Sequence, residues 1–316
     1  MAGKTIDNAF TARSIAGSSY EPTYAGALSF MRRKYSKSVK GADAVVWGVP
    51  FDAAVTNRPG ARFGPQAIRR ASAIMDNDAQ YPFNDEFLQT LKVVDYGDCL
   101  LDSGNHNKTP ATIEREAAKL IRDGAFLLTL GGDHFVTWPI LKAHAAKYGP
   151  LSLVQFDAHQ DTWDDDGKRI DHGSFVLRAV REGVVDPETS IQIGIRTHAP
   201  TDCGIKILYG YEVEEMRAAE IADAIVKRTH GRKTYLTFDI DCLDPAFAPG
   251  TGTPVSGGPS SAKMLSTLRL LGGLDVVGAD VVEVAPAYDH ADITAIAASN
   301  IAMYYLALLA ERRAKG

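Results

Sequence analysis

From Asp43 onward, short runs rich in β-branched and aromatic residues alternate with stretches whose apolar residues recur every three to four positions. That alternation is the pattern of parallel strands joined by crossover helices, since a parallel pair needs a long connection to bring the chain back to the same edge. Strands are predicted at DAVVWGVP, LKVVDYGD, AFLLTLGG, LSLVQFDAH, SIQIGIR, GIKILYG, TYLTFDID and DVVGADVVEV. Helices are predicted over GPQAIRRASAI, PATIEREAAKLIRDG, WPILKAHAAKYG, VEEMRAAEIADAIVKRTHG, SSAKMLSTLRLLGG and, last, Ile293 to Arg313. No linker-like stretch interrupts the series. The expectation is an α/β chain with one domain over 41–316 and a mostly parallel sheet, preceded by an arm over 1–40 laid on its surface.

Composition narrows the function classes. A formal net charge of −5 supplies no basic field for a phosphate backbone, so nucleic acid is not expected as a partner, while small cations are. Three cysteines without a CxxC pair fit a reducing compartment. The start of the chain has no apolar run of signal-peptide length, and no unbroken membrane-length stretch is read anywhere, so a cytoplasmic location away from membranes is expected.

In an open parallel sheet, ligands bind beyond the carboxyl ends of the strands. Three predicted strands end in chemistry-bearing residues: Gly131-Gly132-Asp133-His134, Asp157-Ala158-His159-Gln160-Asp161, and Asp239-Ile240-Asp241. In extended chain, residues two apart share a side, so Asp157, His159 and Asp161 are expected to face one point, as are Asp239 and Asp241. Gly131 and Gly132 are expected to let the backbone bend and present His134. Oxygen-rich donors without thiolate suit a hard or borderline divalent ion such as manganese. Two such ions would balance the four carboxylates, which an empty cluster would have to protonate or disperse. Metallophosphoesterases also use strand-end DxH motifs, but here Gly104-Asn105-His106 lies upstream of Asp157, the wrong order for that chemistry.

GGDH, DAHQD and FDIDCLDPAFAPGTGTP, in this order, resemble the ureohydrolases, the family of arginase and agmatinase. The resemblance runs from about Val46 to Leu308 and includes GVPFD, GARFGP, IDHGS and VVEVAPAYD; GVPFD, QYPFN, IDHGSF and DVVEVAPAYD are most similar to its bacterial agmatinase branch. It implies a three-layer αβα, arginase-like fold and two manganese ions held by His134, Asp157, His159, Asp161, Asp239 and Asp241. It also implies attack of ionised water on a guanidino carbon, with Asp161 orienting that water. His172 would protonate the leaving amine and Glu283 would pair with the guanidinium. A homo-oligomer of trimers or hexamers is implied as well.

The substrate expectation rests on the loop TWDDDGKRID. Its acidic run, Asp164 with Asp165 and Asp166, is expected to border the substrate tail beside Trp163 and to favour the ammonium of agmatine over the carboxylate of guanidinobutyrate, guanidinopropionate or arginine. A guanidino-acid hydrolase is the alternative, and a metal-stabilised binding protein without turnover is a third reading. Arg62 is expected to stabilise a turn, the Pro249–Pro254 loop to rim the crevice, and Asp133, Asp244 and His290 to cap or support. His106, His144, His198 and His230 are expected at the surface.

Overall fold

The computed structural model of the chain describes residues 23–75, 79–83, 87–167 and 169–315. Among these residues nine strands form one sheet: β1 (Lys34–Tyr35), β2 (Ala44–Val49), β3 (Val93–Asp98), β4 (Phe126–Gly131), β5 (Ser152–Phe156), β6 (Ile191–Ile195), β7 (Lys206–Tyr209), β8 (Thr234–Asp239) and β9 (Val276–Val282). Their order is β1-β3-β2-β4-β9-β8-β5-β6-β7. All eight pairings are parallel, so the described sheet is wholly rather than mostly parallel.

Parallel strands covered on both faces read as continuous apolar runs, and β2 shows why. Ala44 and Val46 join one apolar cluster with Ile68, Ile221, Met264 and Ile301, whereas Val45, Trp47 and Val49 join the opposite one with Ile113, Ile140 and Phe175. The first cluster is capped by helices Gly64–Ser72, Ala218–Thr229, Ser261–Arg269 and Ile293–Lys315, the second by Thr109–Ile121, Thr137–Tyr148 and Phe175–Arg181. The result is a three-layer αβα architecture. Each fully buried Val, Leu or Ile contributes roughly 1.5–3 kcal/mol of burial.

Four expectations change. The arm is not laid over the surface where it is described: Phe30 and Met31 are fully buried in the core, Arg32 is fully buried and Arg33 nearly so, and Lys34–Tyr35 adds β1 to the sheet edge. Its charged residues hid this, because buried guanidinium groups find backbone acceptors, Arg33 Nε donating to Met31 O at 2.9 Å. Residues 1–22 lie outside the described residues. The helix expected across 213–231 is two, Gly210–Glu215 and Ala218–Thr229, with Glu220 accepting from the Arg217 backbone N–H at 2.8 Å to start the second. The last helix is long and apolar enough to cross a membrane by composition, but most of it is buried in the core. His144 is not a surface residue; it is fully buried, its Nδ1 paired with Ile140 O, and burial pushes its pKa down to about 4.

Candidate metal centre and active site

The site lies beyond the carboxyl ends of β4, β9, β8 and β5, four adjacent strands at the middle of the sheet. Of the three donor-bearing strands, β8 and β5 pair directly, but β9 separates β4 from β8 and brings Glu283 into the same crevice. Gly131 and Gly132 act by close approach rather than by bending. A Cβ on Gly132 would fall 2.4 Å from Phe51 O and 2.5 Å from Val49 O, so only glycine lets β4 reach His134 at this depth.

The structure brings the six expected donors together, but not by strand alternation. β5 stops at Phe156, and the chain then curls back, with Asp157 Oδ1 accepting from His159 N at 2.6 Å and Asp161 in the left-handed region at φ 52°. After β8, a 3-10 turn over Ile240–Cys242 carries Asp241, whose N–H donates to Asp239 Oδ1 at 2.8 Å. His134 Nδ1 lies 2.9 Å from Asp157 Oδ2, 3.1 Å from Asp161 Oδ2 and 3.3 Å from Asp239 Oδ2. His159 Nδ1 lies 3.1 Å from Asp241 Oδ2 and 3.5 Å from Asp157 Oδ1. Two groups able to hold a metal ion result, His134-Asp157-Asp239 and Asp157-His159-Asp241, sharing Asp157.

The electrostatics of this cluster fit cations. Burial and the Asp157 charge push Asp161 up to about 7, and burial with Asp241 and Asp157 raises Asp239 well above the carboxylate range. Burial opposes the imidazolium of His159, yet Asp241 and Asp157 push it up to about 12. In the same way Asp157 is held well below its usual value, against burial, by His134 and His159. Without a cation the site can stay buried only by loading its histidines and acids with protons. The Nδ1 of His134, buried and aimed at three carboxylate oxygens, makes no hydrogen bond. Its Nε2 is engaged with Thr237 Oγ1 at 2.8 Å. A lone pair directed at anions with no hydrogen bond closing between them is the arrangement a cation completes.

Beside the donors, His172 has Nε2 3.0 Å from Thr56 Oγ1 and Nδ1 2.9 Å from Glu283 Oε1. Burial opposes its charge, but Glu283 and Asp161 push it up to about 9. Asp171 caps the short turn that presents it, accepting from Gly173 N at 2.8 Å. Glu283 is 1% exposed, at φ 63°. Its Oε1 also accepts from His134 N at 2.8 Å, while Oε2 is buried without a partner. Two non-glycine residues at left-handed φ, Asp161 and Glu283, put backbone strain where the donors converge.

A cavity of about 350 Å³ opens here, lined by Thr56, His134, His159, Asp161, Trp163, Asp171, His172, Gly173, Asp239 and Thr253. Trp163 is on its wall as expected. Asp164 is not: it is 69% exposed and paired with Arg181 at 2.6 Å, so it does not border a substrate tail. Asp165 is tied to Arg178 and Ser174, and Asp166 accepts from Arg169 N, which spends the acidic run on holding its own loop. Lys168 lies outside the described residues. Sequence reasoning missed Asp171 and Thr56; the carboxylate next to His172 was a signal for the first, but nothing local marks a threonine 116 positions away for the second. Arg62 pairs with Asp52, and Asp244 accepts from Gly257 and Gly258, both as expected.

A wholly parallel αβα sheet whose central strand ends gather two histidines and four aspartates around a polar cavity defines a metal-dependent hydrolase. The arginase family profile matches residues 42–307. The agmatinase of Chromobacterium violaceum is 48% identical over 313 residues, 98% of this chain and 97% of that protein. A crystal structure described as a hypothetical agmatinase from Burkholderia thailandensis superposes with a TM-score of 0.96 at 50% identity, covering 98% of this chain and 99% of that one. The proclavaminate amidino hydrolase of Streptomyces clavuligerus superposes with a TM-score of 0.88 at 38% identity, covering 92% and 100%. The chain belongs to the arginase family and is an enzyme of the amidinohydrolase type.

Proposed function

We propose that the chain hydrolyses agmatine to putrescine and urea, with two manganese ions held by His134, Asp157, His159, Asp161, Asp239 and Asp241. The observation that carries the substrate reading is the cavity wall, which among the described residues holds the carboxylates of Asp161, Asp171 and Asp239 and no Lys or Arg. Bound ions would neutralise Asp161 and Asp239. Asp171, with the ring of Trp163 nearby and the exposed Arg169 guanidinium 3.9 Å from its Oδ2, is then the carboxylate on the wall that receives an ammonium tail, whereas a carboxylate tail would be repelled by it. Relatives named agmatinase at 43–48% identity support the same reading.

When bound, the ions would lower the pKa of water toward neutrality and so supply the nucleophile. The chain's own groups do the rest. Glu283 does not itself line the cavity, but its free Oε2 is a buried acceptor beside His172 for a guanidinium N–H, and Asp161 is on the cavity wall to orient water. His172, held protonated by Glu283 and steadied by Thr56, gives its proton to the leaving amine nitrogen as the C–N bond breaks. The leaving diamine departs charged.

A guanidino-acid substrate is the second reading, favoured by the proclavaminate relative, whose named substrate differs. Urea release from manganese-loaded protein offered agmatine, 4-guanidinobutyrate, 3-guanidinopropionate and arginine separates the two. Agmatine is expected to lead in kcat/KM by roughly a hundredfold, the reverse order would install the guanidino-acid reading, and silence with every compound would leave a binding protein. A cytoplasmic homo-oligomer, trimer or hexamer, is part of the same proposal, checked by solution scattering.

A further inference from the structure

Below the metal donors, a row of polar side chains crosses five adjacent strands of a largely apolar sheet. In register across adjacent strands stand Thr129 on β4, Asp280 on β9, Thr237 on β8, Gln155 on β5 and Gln192 on β6, all fully buried. Burying polar groups in mid-strand costs stability unless each is hydrogen-bonded and serves something the apolar alternative cannot. Thr129 Oγ1 is buried without a hydrogen bond, while the bonds of the other four run toward the site. Thr237 Oγ1 lies 2.8 Å from His134 Nε2 and donates to Asp280 Oδ1 at 2.6 Å. Asp280 Oδ2 accepts from Thr137 Oγ1 at 2.9 Å and from the Tyr235 hydroxyl at 3.0 Å. On the other side, Gln155 Nε2 donates to Asp157 Oδ2 at 2.7 Å, and its Oε1 accepts from Gln192 Nε2 at 2.7 Å.

The direction of each bond follows from what the groups can do. Three hydroxyls converge on Asp280, a natural acceptor, so the single proton of Thr237 goes to Asp280 and its oxygen is left to receive N–H from His134 Nε2. That fixes His134 in the tautomer whose Nδ1 lone pair faces Asp157, Asp161 and Asp239. Gln155 is likewise oriented by acceptors, since Asp157 and the carbonyl of His159 take protons only from its NH₂ end.

We propose that Asp280 and Thr237 form a positioning pair that sets the tautomer and aim of His134, with Gln192 and Gln155 doing the same for Asp157 from the opposite side. The inference rests on the metal reading above and adds to it residues that touch neither ion nor substrate. Its measurable content is metal affinity, because a ligand whose supporting partner is lost typically binds metal ten- to a hundredfold more weakly.

The test is manganese binding by calorimetric titration of the metal-free full chain, alongside its thermal midpoint. Thr237→Val keeps the shape of the side chain and removes the hydroxyl; it is expected to weaken manganese ten- to a hundredfold, and Thr237→Ser to restore wild-type affinity. Asp280→Asn is expected to weaken it as well, and the double variant Thr237→Val/Asp280→Asn to lose no more than the worse single, because both act through one hydrogen bond. Should an Asp280 variant fail to fold, the Val and Ser pair at 237 carries the test alone. Wild-type affinity in folded Thr237→Val overturns the inference while leaving the metal site intact. No manganese binding by the wild-type chain overturns both this and the proposed function.

Discussion

Two buried clusters of charge sit at the carboxyl side of this sheet, and they are built on opposite terms. At the edge, Arg69 is 6% exposed and lies bidentate on Asp95, Nε to Oδ2 at 2.8 Å and Nη2 to Oδ1 at 3.0 Å, with Nη1 on Asp98 at 2.6 Å. The backbone N–H groups of Phe30 and Gly97 take up further acceptor capacity on Asp95. At the centre, four aspartates crowd two histidines, His134 Nδ1 and Glu283 Oε2 are left without hydrogen bonds, and two residues hold left-handed φ. A cluster whose charges and hydrogen bonds close on themselves holds chain segments together, here the arm against β3 and the helix Gly64–Ser72. One that leaves lone pairs open is built for something that comes from outside.

Breaking each cluster should therefore have opposite consequences. Asp239→Asn is expected to lower urea release by roughly a thousandfold or more, the scale on which losing one member of a catalytic unit is felt. The same change should leave the chelated protein as stable as the parent or more so, since it removes one of the crowded carboxylates; a lower thermal midpoint in EDTA would contradict the contrast. Arg69→Met strands Asp95 and is expected to cost about 3–5 kcal/mol in urea denaturation, with kcat per folded molecule unchanged. An activity loss without a stability loss would mean the edge cluster is not structural.

The contrast sharpens with pH. Asp161, pushed up to about 7 from an ordinary value of 3.8, holds a proton in the folded chelated protein that the unfolded chain has already released. That contribution is fully present below 3.8 and lost as pH rises through about 7, so chelated protein should melt higher at pH 5 than at pH 7.5. Manganese should reverse the trend. Glu283→Gln removes the charge that holds the His172 proton, so the alkaline limb of kcat, expected near 9, should move toward the unperturbed 6.5 while manganese content stays nearly unchanged. Manganese loss in that variant would reassign Glu283. The smallest effect is expected at Asp164→Asn, which breaks an exposed pair with Arg181 and should leave agmatine turnover within about twofold.

Much of the sheet was legible because strands buried on both faces leave little room for polar residues, as in AVVWGV and SLVQF. The six donors were legible because Asp and His, which singly often serve as caps or turn residues, recur directly after three separate apolar strands. The reason they converge was not: the alternation of an extended chain suggested the right residues, but the backbone achieves it by curling at Asp161 and by a 3-10 turn at Asp241. Asp164 misled because charge in a loop says nothing of which way it faces, and three nearby arginines, Arg169, Arg178 and Arg181, claimed the run. The polar row escaped notice because one threonine or glutamine per strand is unremarkable until register lines them up across five strands.

The position of β9 has a consequence for how the protein is made. It is the last strand to leave the ribosome, yet it occupies the slot between β4 and β8. A nascent chain that has emerged only as far as Asp241 already carries all six donors, but the seam that draws His134 toward Asp239 is still missing. A chain cut before Val276 would carry all six donors without the strand that seats β4 beside β8.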